Sequence, residues 1–223
     1  MGLLQVFDSI GGKTAGLMGG REGKRFRAEG HIELGIEMAA RQQLDQALAE
    51  FKKAAATCPQ MAEAHFNIGL TYFRQGQHSA AVSAFTEATS VDPEYIEAYY
   101  NLGLAYVALA KQRLGEGKDV KDIYDKARRA CLAAIRLRRD CVEALDSLGQ
   151  VYYELGAHTE AFKAWYRALE VRRDYVPTYK SLIRLHLDRG ETQSALVLSE
   201  QLVRIDPTAG ELHNYVLAAC GKS

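Results

Sequence analysis

Residues 62–95 read AEAHFNIGLTYFRQGQHSAAVSAFTEATSVDPEY. Phe66, Ile68, Gly69, Tyr72 and Phe73 recur at helical spacing, which predicts an amphipathic helix in the first half. Gln75-Gly76-Gln77 supplies a turn. Ser79 to Val91 predicts a second helix carrying Ala81, Phe85 and Ala88 on one face, and Asp92-Pro93 closes it, because a proline ring disfavours helix at the residue before it. Neither helix can bury its apolar face alone, so the pair needs a neighbour of its own kind.

The sequence supplies such neighbours. Gly35, Gly69 and Gly103 recur at steps of 34 residues, and Gly149 follows after 46, one period plus twelve. Ala47, Ala81, Ala127, Ala161 and Ala195 repeat a small residue downstream. A fixed period of this length marks stacked supersecondary units, with small residues where helices approach and aromatics filling the space between pairs.

The pattern resembles the tetratricopeptide repeat over residues 28–209. The unit at 62–95 fits throughout with Ile68, Gly69, Tyr72, Ala81, Phe85, Ala88 and Pro93. Residues 28–61 keep Leu34, Gly35, Ala47, Phe51, Ala54 and Pro59, with Met38 at the tyrosine place. Residues 142–175 keep Leu148, Gly149, Tyr152, Ala161, Trp165 and Ala168, with Arg173 replacing proline. Residues 176–209 are the most divergent: Leu182, Gly190, Ala195 and Pro207 hold the phase, whereas Ile183, His186 and Ser199 depart from it. The resemblance implies an all-α fold, a right-handed α-solenoid of stacked antiparallel helix pairs. It has five units, 28–61, 62–95, 96–141, 142–175 and 176–209. Residues 210–223 are then expected to hold a capping helix, with Leu212, Tyr215, Val216 and Ala219 on one face.

Repeat three carries the twelve extra residues between Tyr106 and Ala127. Both of its helices are expected to be extended, the first to about Leu114 and the second from after Asp119, with the turn at Gly115-Glu116-Gly117. Shared equally, the insertion adds roughly 9 Å to each helix. The result is either a projecting knob that holds a partner or a tolerated solvent-facing hairpin. Arg128, Arg129, Arg136, Arg138 and Arg139, followed by Arg167, Arg172 and Arg173, make the neighbouring surface arginine-rich. Asp122, Asp125, Asp140 and Asp174 temper it, and it reads as a solvated outer face.

In the family, ligands lie along the first helix of each unit. Carried over place by place, the resemblance implies a groove of Ile32, Ile36, Phe66, Asn67, Leu70, Phe73, Tyr100, Asn101, Leu104 and Val107. It continues through Asp146, Gln150, Tyr153 and Glu154 to Lys180, Arg184 and Asp188, apolar at one end and charged at the other. Asn67 and Asn101 stand where asparagines of peptide-binding members hydrogen-bond a ligand backbone, since an amide both donates and accepts. The carboxylate clamp of chaperone-binding relatives needs lysine and asparagine in its first repeat. Ile32 and Ile36, or Phe66 and Leu70, fill those places here, which disfavours chaperone tails.

Composition narrows the remaining classes. Lys+Arg and Asp+Glu both total 28 in 223 residues, so no net field draws the chain to nucleic acid. Residues 1–27 carry five basic and two acidic groups and residues 28–95 four and nine, so the amino-terminal tail is expected to rest against the first repeats. In that tail Leu3, Leu4, Phe7 and Ile10 form a short amphipathic anchor before a glycine-rich tether. Its own groove, a partner groove and a membrane surface are the candidate sites for it.

No apolar run reaches the ~20 residues that cross a bilayer, and no secretory leader is recognisable. Neither the spacing of the six histidines nor that of Cys58, Cys131, Cys141 and Cys220 suits a metal. Gly12-Lys13-Thr14 lacks the first glycine of a phosphate loop, Phe7 standing there. The expected function is therefore a non-catalytic cytoplasmic scaffold or adaptor, without cofactor, that binds a protein or peptide in its groove. Self-association or gating by the amino-terminal segment would regulate it. The alternative is a peripheral organiser recruited to a membrane or large assembly through residues 1–20.

Overall fold

A computed structural model describes residues 20–117 and 119–221, and every regular element among them is helical. The helices are α1 (Arg21–Ala40), α2 (Leu44–Thr57), α3 (Ala62–Arg74), α4 (His78–Val91), α5 (Ile96–Gly115), α6 (Lys121–Leu137), α7 (Val142–Glu154), α8 (His158–Val171), α9 (Val176–Asp188), α10 (Thr192–Ile205) and α11 (Gly210–Ala219). They form a solenoid of antiparallel pairs ending in a helix distinct from the repeats. Packing divides the chain into two compact units at Leu109/Ala110, inside α5.

Within each pair the turn follows one recipe. Gln77 N–H donates to the Tyr72 carbonyl and Gly76 N–H to that of Phe73; Ala157 and Gly156 repeat this with Tyr152 and Tyr153, and Glu191 and Gly190 with His186 and Leu187. This is the Schellman closure, whose penultimate residue takes the left-handed conformation. Gly76, Gly156 and Gly190 have φ of +72°, +72° and +70°, whereas in repeat one Gln42 sits at 63° in the same place.

The repeating glycine and aromatic are one contact. A Cβ built on Gly35 would lie 2.5 Å from the Phe51 ring, and one on Gly69 2.7 Å from Phe85; Gly149 faces Trp165 equally closely. These aromatics are fully buried, so the glycine exists because a ring occupies the space of its side chain. Repeat five reverses the arrangement: Ile183 stands at the glycine place and Ser199 at the aromatic place, and both are buried. Bulk has moved from the second helix to the first, which keeps the volume filled and accounts for the departure from pattern.

Three expectations need correction. Helix α1 begins at Arg21, so residues 21–27 belong to repeat one rather than to a glycine-rich tail. Good helix formers fill this stretch, Arg25 pairs with Glu29 at 3.0 Å, and Gly23 and Ala28 are buried. Four of the tail's five basic groups thus belong to α1, and residues 1–20 keep only Lys13 and Asp8. That balanced pair supplies no net charge to draw a tail onto the first repeats.

The insertion, second, is not shared equally. α5 has 20 residues against 13 in α3, while α6 has 17 against 14 in α4, about 10 Å and 5 Å of extra helix. Its hairpin is also anchored: Lys111 pairs with Glu154 of α7 at 2.8 Å, and Val120 and Tyr124 are buried. The tip is open, with Leu114 58% exposed.

Third, Tyr215 of the terminal helix points outward, 65% exposed. Leu212, Val216 and Cys220, one turn apart, make the docking face instead. His213 Nδ1 lies 2.9 Å from Ser199 Oγ, and Cys220 Sγ donates to the Thr192 carbonyl at 3.3 Å.

Candidate functional site

In both units the first helices of neighbouring repeats touch, α1 with α3 and α7 with α9. This sets the first-helix faces of α1 and α3, and of α7 and α9, side by side. In the first unit Phe66 lies 5.7 Å from Phe85 and 5.0 Å from Tyr95, half-buried. Leu70, Phe73, Tyr100 and Leu104 are half-buried too, and Ile36 is 49% exposed. These residues form an apolar surface that water reaches.

Two residues assigned to the groove are core instead. Ile32 is 3% exposed because it packs with Ala28, Ala47 and Phe51 against α2. Val107 is 5% exposed, on the buried stripe of Gly103, Val107 and Ala110.

The asparagine rungs are less available than their spacing suggests. Asn67 Nδ2 donates to the Glu63 carbonyl at 2.9 Å and Asn101 Nδ2 to that of Glu97 at 2.8 Å, each one turn back on its own helix. Ser147, at the equivalent place in repeat four, does the same to Glu143 at 2.7 Å. An amide bonded this way keeps its oxygen and a second N–H for a ligand.

The second unit holds a better defined site. Gln150, Tyr153, Trp165, Lys180, Ser181 and Arg184 line a cleft of about 190 Å³. Four of these residues were legible in the sequence; Trp165 and Ser181 were not. Trp165 forms the inter-helix contact with Gly149 yet still presents an edge of its indole to the cleft, and Nε1–H donates to the Asp146 carbonyl at 3.1 Å. The signal was the residue type: a tryptophan at a phenylalanine place brings an N–H that needs an acceptor.

Each cation of the cleft has a carboxylate near it, and Lys180 lies close enough to Asp206 to help hold that carboxyl low. The Arg184 guanidinium lies 4.9 Å over the Tyr153 ring and only loosely, at 3.9 Å, from Asp188, which accepts from the Tyr153 hydroxyl. Burial pushes the Tyr153 phenol up, the Asp188 bond adds to this, and Arg184 opposes it. Lys180 and Arg184 are both exposed. Glu154 is taken by Gln150 and Lys111.

Asp146 differs from its expected role as an open groove charge. Its Oδ1 accepts from the Thr178 hydroxyl of α9 at 2.7 Å, and Thr178 is fully buried. Burial, the largest cause, and the nearby Glu143 raise its pKa to about 6, against the lowering effect of the Thr178 bond.

Elsewhere the polar groups are structural. His31 Nδ1 meets Glu50 at 2.7 Å and His65 Nε2 the Pro59 carbonyl at 3.0 Å. Arg128 pairs with Asp125 at 2.8 Å, Arg172 with Glu143 at 3.2 Å, and Arg167 donates to the Arg139 carbonyl at 3.1 Å. Among the described residues no group of His, Cys, Asp or Glu could hold a metal, and no helix is long and apolar enough to cross a membrane. Leu3, Leu4, Phe7 and Ile10, like Gly12-Lys13-Thr14, lie outside the described residues.

Family models agree with this architecture. One described as TPR repeat matches residues 37–76 and 69–109, and one described as Tetratricopeptide repeat matches 122–177. Together they span more than half of the chain, which belongs to the tetratricopeptide repeat family. Among curated proteins none matches the sequence.

Solved structures share the fold. TTC0263, a thermophilic TPR protein of Thermus thermophilus, superposes with a TM-score of 0.72 at 24% identity, over 86% of this chain and 98% of that one. YrrB, a TPR protein with an unusual peptide-binding site, gives 0.59 at 19% identity over 86% and 90%. The first TPR of Spaghetti (RPAP3), bound to an HSP90 peptide, gives 0.52 at 21% over 59% and 95%. The family's fold serves as a non-catalytic scaffold for protein and peptide interaction rather than as an enzyme.

Proposed function

We propose that the chain is an adaptor that captures a peptide segment bearing an acidic group, and that the cleft between α7 and α9 is where that group binds. The observation carrying this is the convergence of Lys180 and Arg184 with the Gln150 amide, the Ser181 hydroxyl and the Trp165 indole around one opening. Two cations complement a carboxylate, the amide and hydroxyl complement its free lone pairs, and the aromatic floor accepts an aliphatic stem. The apolar surface of Ile36, Phe66, Leu70, Phe73, Tyr100 and Leu104 in the first unit is a separate subsite for hydrophobic side chains. Gating by the amino-terminal segment and self-association remain part of this proposal as regulation of that surface. Four unpaired thiols support a reducing, cytoplasmic setting.

The test is selection from a random peptide display library on the full-length protein, beside Lys180→Ala/Arg184→Ala and Phe66→Ala/Tyr100→Ala. Wild type should enrich acidic peptides with apolar flanks. The first double variant should lose the acidic preference and the second the apolar one. Enrichment unchanged by Lys180→Ala/Arg184→Ala removes the cleft from the site. Sedimentation with phosphatidylserine vesicles that depends on residues 1–20, with no peptide enriched, favours the peripheral-organiser function instead.

A further inference from the structure

The two carboxylates beside the cleft cations are held differently. The Thr208 hydroxyl and backbone N–H, at 2.6 and 3.0 Å, hold Asp206 below the usual carboxylate range in the turn after α10, and Lys180 adds to this. Asp188 backs the cleft itself. Its Oδ2 accepts from the Tyr153 hydroxyl and lies 3.9 Å from Arg184 Nε, and both Tyr153 and Arg184 line the opening. Asp188 is also the last residue of α9, where a helix dipole favours cations, so its own helix gains nothing from the charge. We propose that Asp188 is the specificity-determining residue of the cleft, setting it for a singly charged carboxylate and against a doubly charged phosphate group. This rests on the cleft being an anion site.

An anion that Arg184 binds shares that cation with Asp188 and lies roughly 6 Å from the carboxylate. Arg184 and Asp188 are both exposed to water, and at an effective dielectric of ~80 the repulsion weakens a monoanion about threefold. A dianion meets twice that energy and is weakened about tenfold. Lys180 and Arg184 against Asp206 and Asp188 leave no surplus of positive charge to reward the second charge of a phosphate, and Glu154, the other acid nearby, is occupied by Gln150 and Lys111. A carboxylate brings one charge, and its two oxygens suit the Arg184 fork and the Lys180 ammonium. Tyr153 fixes the geometry: its ring lies 4.9 Å under Arg184 while its hydroxyl holds Asp188, so cation and carboxylate keep their places together.

Trp165 is the single tryptophan of the chain and lines the cleft, so its fluorescence reports binding there. The full-length protein is titrated at neutral pH and constant ionic strength with sulfate, a dianion, with methanesulfonate, a monoanion of the same tetrahedral shape, and with acetate. Separate arms use N-acetylalanine and the α-amide of N-acetylglutamate, which tell a chain terminus from an acidic side chain as the source of the carboxylate. Wild type should bind the monoanions at least as tightly as sulfate. Asp188→Asn keeps an oxygen for the Tyr153 hydroxyl and should tighten methanesulfonate about threefold and sulfate about tenfold, with the melting temperature unchanged. A merely structural role for Asp188 would change both probes by one factor.

Equal factors for the two probes, or no change with either, overturn the proposal while leaving the cleft as an anion site. A wild-type preference for sulfate over the monoanions does the same. Absence of anion binding in both wild type and Asp188→Asn, or binding that survives Lys180→Ala/Arg184→Ala, overturns the cleft reading and the specificity role with it.

Discussion

Replacing Gly69 by alanine tests the packing logic of the whole repeat. The new Cβ would lie 2.7 Å from two carbons of the Phe85 ring and 3.0 Å from a third. Ordinary carbon contacts are ~3.5–4.0 Å, so the ring must retreat by roughly 1 Å. Phe85 is fully buried and has the Phe66 ring 5.7 Å away as well, which leaves it little room. Overpacking of this kind costs about 1–3 kcal/mol, and the better helix propensity of alanine returns about 1 kcal/mol. With the ring hemmed in, the upper half of that range applies, so the net expectation is a loss of about 1–2 kcal/mol, or a melting point lower by ~2–8 °C for a chain of this size. Gly115→Ala is the matched control, because Gly115 ends a helix with nothing within 4 Å of its added Cβ; it should be neutral or slightly stabilising. Urea unfolding followed by far-UV circular dichroism gives both numbers. The double change Gly69→Ile with Phe85→Ser imitates repeat five and should be at least about 2 kcal/mol more stable than the sum of its single changes. A Gly69→Ala protein as stable as wild type, or additive double-change energies, would refute the reasoning.

Three further outcomes follow from the same geometry. Gln42→Gly should raise stability by about 1 kcal/mol, because Gln42 holds φ of 63° where the other repeats have glycine; thermal unfolding checks this. Asp146 binds its proton more tightly folded than unfolded, at about 6 against an ordinary 3.8. Its contribution is therefore complete below pH 3.8 and is lost as pH rises through 6, a difference of about 3 kcal/mol. Asp146→Asn should gain that amount over wild type at pH 7.5 and little at pH 4, read as the difference between two urea-stability profiles. Lys111→Ala, which breaks the pair holding the hairpin to Glu154, should increase amide exchange near residues 110–125 while costing under ~1 kcal/mol overall.

The sequence by itself determined the helix pairs, their order and the place of the one interruption. These depend on short-range rules that the repeat restates: helical spacing of apolar residues and a left-handed turn after the first helix, with a ring opposite a glycine in repeats one, two and four. The period also located Gln150, Tyr153, Lys180 and Arg184, because equivalent places on equivalent helices face the same side.

What tertiary structure decided is which of those places stay open. Ile32 and Ile36 are one turn apart, yet α2 covers the first and leaves the second exposed. Asn67 and Asn101 turn a donor back to their own helix. Asp146 is drawn from the groove to a threonine 32 residues away, and Trp165 reaches the cleft only because Gly149 leaves its ring room. Spacing along a helix fixes direction, but exposure and charge depend on what a neighbouring helix brings to the same point. That long-range juxtaposition carries no sequence signature of its own.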